Sequence, residues 1–252
     1  SLMEAYPRAL RQGFTPFDPL ELGRKTEDIV SREDARKYTA FYCTGVYGGI
    51  STAYTVGCCL RCIFCWVDSS RDFPETRGEF YTPEQVVGRL IEQARRKRVP
   101  RLRISGGEPT LCRRHLLAVL ERIEPTGYDF ILETNGIPIA AEEDYATVLA
   151  RYACAHVRVS LKAGTPQGFE ARTGARAESW ELPFVAVERL LDAGADFHVA
   201  AMTDPRLMPD AERTALLARL RRAGYTGWLE EERCDAYRST AKRLRAAGWD
   251  LF

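Results

Sequence analysis

From Ile50 onward the apolar positions switch repeatedly between a strand period and a helix period. "ISTAYTV" (50–56) reads as a first strand, bounded by Gly57. "TPEQVVGRLIEQARRKRV" then sets Val86, Val87, Leu90, Ile91 and Ala94 on one helical face, with Thr82 as N-cap and Pro83 in the first turn. The alternation continues with strands at "RLRIS" (101–105), "YDFILETNG" (128–136), "HVRVSLKAG" (156–164), "DFHVAAMTD" and "GWLEEE". Helices are predicted between them, from about Arg113 onward, in "EEDYATVLARYA", in "ELPFVAVERLLDAG" with Gly194 at its end, and in "DAERTALLARLRRAG". "CDAYRSTAKRLRAAG" reads as the last helix.

Six β–α units in this order predict an α/β fold, a parallel sheet with helices outside. Periodicity alone fits an open doubly wound sheet or a partial barrel. In both, chemistry gathers at the C-terminal strand ends. The unusual residues fall there: a cysteine run after the first strand, "GGEP" after the second, "ETNG" closing the third and "SLK" closing the fourth. Residues 1–48 lack the alternation and read as an extension packed on the 49–252 unit. Within it, Ser31 to Asp34 has the pattern of a capping box, which predicts a helix over "SREDARKYTAFYC". Ser1 and Leu2 ahead of Met3 look like a cloning remnant.

Composition excludes some classes of function. A formal net charge of +1 argues against a protein that coats nucleic acid, and "RRKR" (95–98), "RLRR" (219–222) and "KRLRAAG" read as solvated helix faces. No run of about 18 apolar residues exists, so no membrane-spanning helix is expected. The absence of an apolar leader points to a reducing, cytoplasmic setting. Clustered cysteines there bind metal or do chemistry more often than they form disulfides.

Four of the eight cysteines lie in "CCLRCIFC", and Cys58, Cys62 and Cys65 have the spacing C-x-x-x-C-x-x-C. A structural zinc site takes four ligands, commonly as two separated pairs, and a ferredoxin-type cluster takes four cysteines. Three thiolates suit a cluster with one open coordination position. This motif, followed by "GGEP" and with an aromatic residue, Phe64, before the third cysteine, resembles the signature of the radical S-adenosylmethionine superfamily. The resemblance spans roughly residues 50–232. It implies a (β/α)6 partial TIM barrel, one 4Fe–4S cluster on Cys58, Cys62 and Cys65, and S-adenosylmethionine on the fourth iron. It also implies an external one-electron reductant of the flavodoxin or ferredoxin kind.

The resemblance assigns Phe64, Gly106, Gly107, Glu108, Glu133, Ser160, Lys162 and Met202 to the cofactor. Glu108, or a main-chain carbonyl beside it, would accept from the ligand's ammonium. Ser160 and Lys162 share one face of their strand and would meet the ribose or the carboxylate, with Met202 near the adenine. Cys59 reads as a small buried residue, and His115 as solvated. Compact size, "GGEP" and "LETNG" are most similar to glycyl-radical-enzyme activases and the 7-carboxy-7-deazaguanine synthase group. Ser160-Leu161-Lys162 and Trp66 depart from the activase pattern. The substrate stays open among a protein glycine, a peptide, a nucleoside and a small metabolite. Glu230, Glu231 and Glu232 favour a cationic one, with one or two of them facing inward. The alternative from another class is a zinc or electron-transfer iron–sulfur module without this chemistry.

Overall fold

Asp18 opens the first helix, α1 (Pro19–Val30): its carboxylate accepts from the Leu20 amide at 2.9 Å, and Pro19 stands in the first turn. The protein is described by a computed structural model over residues 6–252, so the supposed cloning remnant lies outside the described residues. After α1 the chain forms a hairpin, β1 (Ser31–Arg32) and β2 (Ala35–Thr44), where a helix is expected from the capping-box pattern. Ser31 does not open a helix. It ends α1, and its hydroxyl donates back to Glu27 O at 2.6 Å. Glu33 turns the chain at φ 56°, and β2 then pairs antiparallel with β3 (Ile50–Thr55) and β4 (Glu79–Tyr81). The aromatic and β-branched residues of "KYTAFYCT" outweigh the local capping signal once a sheet edge is available.

Past β3 and β4 the expected alternation holds. Helix α2 (Pro83–Lys97) carries a complete Thr82–Gln85 capping box and leads to β5 (Arg101–Gly106). Then follow α3 (Arg113–Ile123), β6 (Asp129–Thr134), the short α4 (Ile137–Ala141) and α5 (Tyr145–Ala150), and β7 (Ala155–Leu161). The chain continues through α6 (Pro166–Thr173), α7 (Glu181–Asp192), β8 (Phe197–Met202), α8 (Asp210–Arg222), β9 (Leu229–Glu232) and α9 (Arg238–Ala246). Strands β3, β5, β6, β7, β8 and β9 pair in parallel in that order, with β2 and β1 continuing beyond β3. This is a mixed α/β sheet of partial-barrel form. Among the described residues no helix is long and apolar enough to cross a membrane.

Two of the basic runs are not purely solvated faces. Arg219 is buried against Glu181 and Glu188, and Arg243 is buried against the cysteine loop. His115 likewise faces inward from α3, only 2% exposed. Its Nδ1 lies 2.6 Å from the Asp34 carbonyl, which can only accept, so Nδ1 carries the proton and Nε2 accepts from Tyr38 Oη at 2.6 Å. Burial holds this imidazole down at about 4, below its ordinary 6.5, with Arg36 acting in the same sense and the Asp34 carbonyl against it. The stabilisation is therefore complete above pH 6.5 and is lost as pH falls towards 4, a swing of about 3 kcal/mol. Urea unfolding of the wild type should weaken across that window. His115→Gln should start less stable at neutral pH but show a flatter profile there, and a wild-type slope retained in His115→Gln would place the proton elsewhere.

Candidate active site

Past β3 the chain turns through Gly57, at φ 96°, where a Cβ would meet Thr26 Cγ2 at 2.5 Å. The cysteine loop starts there. Cys58, Cys62 and Cys65 line a cavity of about 210 Å³ together with Phe64, Gly106, Gly107, Glu108, Glu133, Ser160, Lys162 and Met202. All eleven positions singled out from the sequence therefore surround one space, at the C-terminal ends of β3 and β5–β9. Cys59 points away. It is buried, lines a different cavity beside Pro19, Leu20 and Gly23, and receives Asn135 Nδ2 at 3.4 Å. Cys43, Cys112, Cys154 and Cys234 border neither space.

The thiols differ in readiness. The Cys58 thiol is held below its ordinary range, chiefly by the neighbouring Cys59 thiol, with the Leu60 amide and Arg61 acting alike against burial and Glu108. Burial pushes Cys62 up to about 12, with Cys65 and Cys58 adding to it and Lys162 opposing. Metal ligands must be deprotonated, and burial works against that at Cys62. Among the described residues no three His, Cys, Asp or Glu side chains are placed to hold a single ion. A cubane asks for something else, one thiolate on each of three irons.

The "GGE" turn is built by close backbone packing. Gly107 N donates to Thr55 O at 2.9 Å and Glu108 N to Gly57 O at 2.8 Å, which ties this turn to the root of the cysteine loop. A Cβ on Gly107 would lie 2.2 Å from Gly57 O, so only glycine fits. Glu108 is only 3% exposed. Its Oε2 accepts from Thr110 N (2.9 Å), Thr110 Oγ1 (2.6 Å) and Thr134 Oγ1 (2.8 Å), and its Oε1 from Asn135 N (2.7 Å). Three donors saturate Oε2, while Oε1, with one, keeps a free lone pair. Glu108 is thus a bracket between the β5 and β6 loops, with Oε1 and the neighbouring main-chain carbonyls as the acceptors left on this turn.

The opposite wall is a charge lattice on the inner face of the sheet. Lys162 Nζ donates to Ser160 Oγ at 2.9 Å, and Ser160 Oγ to Glu232 Oε1 at 3.2 Å. Arg158 Nη2 donates to both Glu230 and Glu232, and Arg103 Nη1 to Glu133 Oε1 at 2.6 Å. Burial would lower the Arg158 guanidinium, but its glutamate partners outweigh that and keep it charged. Glu231 faces outward to Arg213. The three glutamates are therefore not a free acidic patch, because both inward-facing ones are paired by Arg158. Below lies a larger cavity of about 660 Å³ that shares the walls Glu133 and Arg158 and adds Tyr47, Arg103, His156, His198 and Trp228. Sequence reasoning missed Arg158 and Arg103, although strand alternation places Arg158 two residues before Ser160, on the same face.

A parallel partial barrel with three cysteines and a glycine turn around one rim cavity is the plan of an enzyme that binds a cofactor at its strand ends. Residues 52–226 match the family model described as the Radical SAM superfamily, and the chain belongs to that superfamily. Membership implies a 4Fe–4S cluster and S-adenosylmethionine. Its curated relatives include the probable GTP 3',8-cyclase of Thermococcus kodakarensis, 32% identical over 120 residues that cover 48% of this chain and 36% of the cyclase. Another is the probable GTP 3',8-cyclase of Methanococcus maripaludis, 29% identical over 142 residues, 56% of this chain and 44% of that one. The chain thus spans less than half the length of these relatives. Among solved structures, TYW1 with a lysine-pyruvate adduct aligns at a TM-score of 0.58 and 17% identity, covering 75% of this chain and 66% of TYW1. Streptococcus suis SuiB bound to S-adenosylmethionine aligns at 0.57 and 16%, covering 72% and 40%. These two likenesses concern the fold.

Proposed function

We propose that this chain is a radical enzyme in which Cys58, Cys62 and Cys65 hold one 4Fe–4S cluster and the rim beside them holds S-adenosylmethionine. The observation that carries this reading is the meeting of all three cysteines with Gly106, Gly107, Ser160, Lys162 and Met202 around one cavity. When bound, this pair of groups would supply one-electron reductive cleavage of the sulfonium C–S bond to methionine and a 5′-deoxyadenosyl radical able to take hydrogen from a substrate, with a flavodoxin- or ferredoxin-like protein as the electron source. Carbonyls of the 105–107 turn or Glu108 Oε1 would receive the methionyl ammonium. Lys162 and Ser160 would meet the carboxylate or ribose, Phe64 would wall the cysteine side, and Met202 would border the adenine. Glu133 sits between the two cavities, bonded to Arg103, and would orient the substrate rather than the cofactor.

The substrate would occupy the larger cavity and present its hydrogen past Glu133 and Arg158, since transfer needs near-contact of about 3–3.5 Å. Similarity to GTP 3',8-cyclases makes a purine nucleotide the first candidate to test. The lattice favours a weakly charged ligand over a triphosphate, because Arg103 and Arg158 are already engaged by glutamates. A protein glycine, as for the activases, fits less well, given Ser160 and Trp66.

The cofactor assignment is tested by binding. Adding S-adenosylmethionine to the reduced, reconstituted protein should alter the electron paramagnetic resonance spectrum of the cluster. Lys162→Met should weaken that binding about tenfold, as expected for loss of a hydrogen bond to a charged group. An unaltered spectrum in wild-type protein would favour the electron-transfer module instead.

A further inference from the structure

Each of the three cysteines has an arginine on its own carbonyl. Arg61 Nη1 donates to Cys58 O at 3.0 Å, Arg71 Nη1 to Cys62 O at 2.8 Å, and Arg243 Nη1 to Cys65 O at 2.9 Å. The three guanidiniums converge on one carboxylate. Asp72 Oδ1 accepts from Arg71 Nε at 2.9 Å and lies 3.7 Å from Arg61 Nε, while Oδ2 accepts from Arg243 Nη2 at 2.9 Å. Side-chain exposure is 0% for Arg61, 2% for Arg71, 8% for Arg243 and 7% for Asp72. Three buried positive charges against one negative leave an excess of two beside the cysteine loop.

Such an excess is unfavourable alone, because a buried charge needs a partner. Among the described residues, Arg61 Nη2 and Arg243 Nε have no hydrogen-bond partner at all. An anionic group next to the loop would complete the balance, and three thiolates with the cluster they hold would be anionic. The arginines also come from separate parts of the chain. Arg243 reaches back from α9 to a residue 178 positions earlier, while Arg61 lies within the loop and Arg71 follows it. Loop carbonyls pinned from both sides hold their cysteines in place before any metal arrives.

We propose that Asp72 with Arg61, Arg71 and Arg243 is a positioning frame that fixes the three cysteines and sets the reduction potential of the cluster they bind. This rests on the reading of those cysteines as cluster ligands. The excess positive charge stabilises the more negative, reduced form and so raises the potential. Asp72 moderates that effect. Because the frame is buried, bulk salt screens it little.

Redox titration of anaerobically reconstituted full-length variants, followed by electron paramagnetic resonance, tests the frame alongside iron content. Arg243→Gln should lower the reduced-to-oxidised ratio at a fixed potential about tenfold, which for a one-electron couple is about 59 mV more negative. Asp72→Asn should move it the opposite way. Arg243→Lys keeps the charge but loses the fork, so it should hold a potential near wild type while retaining less iron after chelation. Opposite signs are the mark of a charge effect, since mere loosening of the loop would move both variants alike. If Asp72→Asn fails to fold, Arg243→Gln against Arg243→Lys still separates charge from geometry. A full cluster whose potential ignores all these changes, or shifts alike in Arg243→Gln and Asp72→Asn, would overturn the frame alone. A wild type that binds no cluster would overturn both the frame and the assignment beneath it.

Discussion

Cys58→Ala, Cys62→Ala and Cys65→Ala are each expected to lose the cluster and all cofactor cleavage, while Cys59→Ala keeps both. Reconstituted wild type should hold about four irons and four sulfides per chain. Losing one of three ligands leaves an iron with no protein donor, and Cys59 cannot replace Cys58. It faces the α1 side, where Gly23 lies with its Cβ position 3.6 Å from Cys59 Cβ, and it does not line the rim cavity. Iron and sulfide analysis of all four variants checks this. Cluster loss in Cys59→Ala with retention in Cys58→Ala would reverse the ligand assignment.

A large effect on folding is expected at Gly107. A methyl group there would meet Gly57 O at 2.2 Å and Gly57 N at 2.9 Å, and both are backbone atoms that cannot rotate away. Gly107→Ala must either push the "GGE" turn off the cysteine loop or break the bonds from Gly107 N and Glu108 N. A loss of about 3 kcal/mol or more is expected, well beyond a typical substitution. For a chain of this length it corresponds to about 6–12 °C in melting temperature. Gly88, in α2 with nothing within 4 Å of its Cβ position, serves as the control. Gly88→Ala should be neutral or stabilising by up to about 1 kcal/mol. Equal melting temperatures for the two variants would show that the turn has room the geometry denies it.

The parallel strands and the rim cavity were legible because their signals are local. Periodicity places the strands, and short motifs fall where each strand ends. The N-terminal segment was less legible. Asp18-Pro19, with Leu22, Thr26 and Val30 on one face, could have revealed α1, but β2 is a strand only because β3 and β4 offer it partners. Glu108 shows a different limit. Its motif marks the site, yet the donors that engage its carboxylate come from Thr110, Thr134 and Asn135, two of them on another unit. Arg243 is the extreme case. It sits in a basic helix that looks solvated in sequence and is committed to Cys65 only by the tertiary fold. Gly57 carried a readable hint, a glycine directly before the cysteine run, but the reason for it lies in Thr26 of α1.

The central claim, that the three cysteines and the adjoining rim form one radical-generating site, is tested most directly by product analysis. Anaerobically reconstituted wild-type protein, given dithionite and S-adenosylmethionine without substrate, should slowly release methionine and 5′-deoxyadenosine in equal amounts, and Cys58→Ala should release neither. A fully loaded cluster that yields no 5′-deoxyadenosine, or an equal yield from Cys58→Ala, would contradict it.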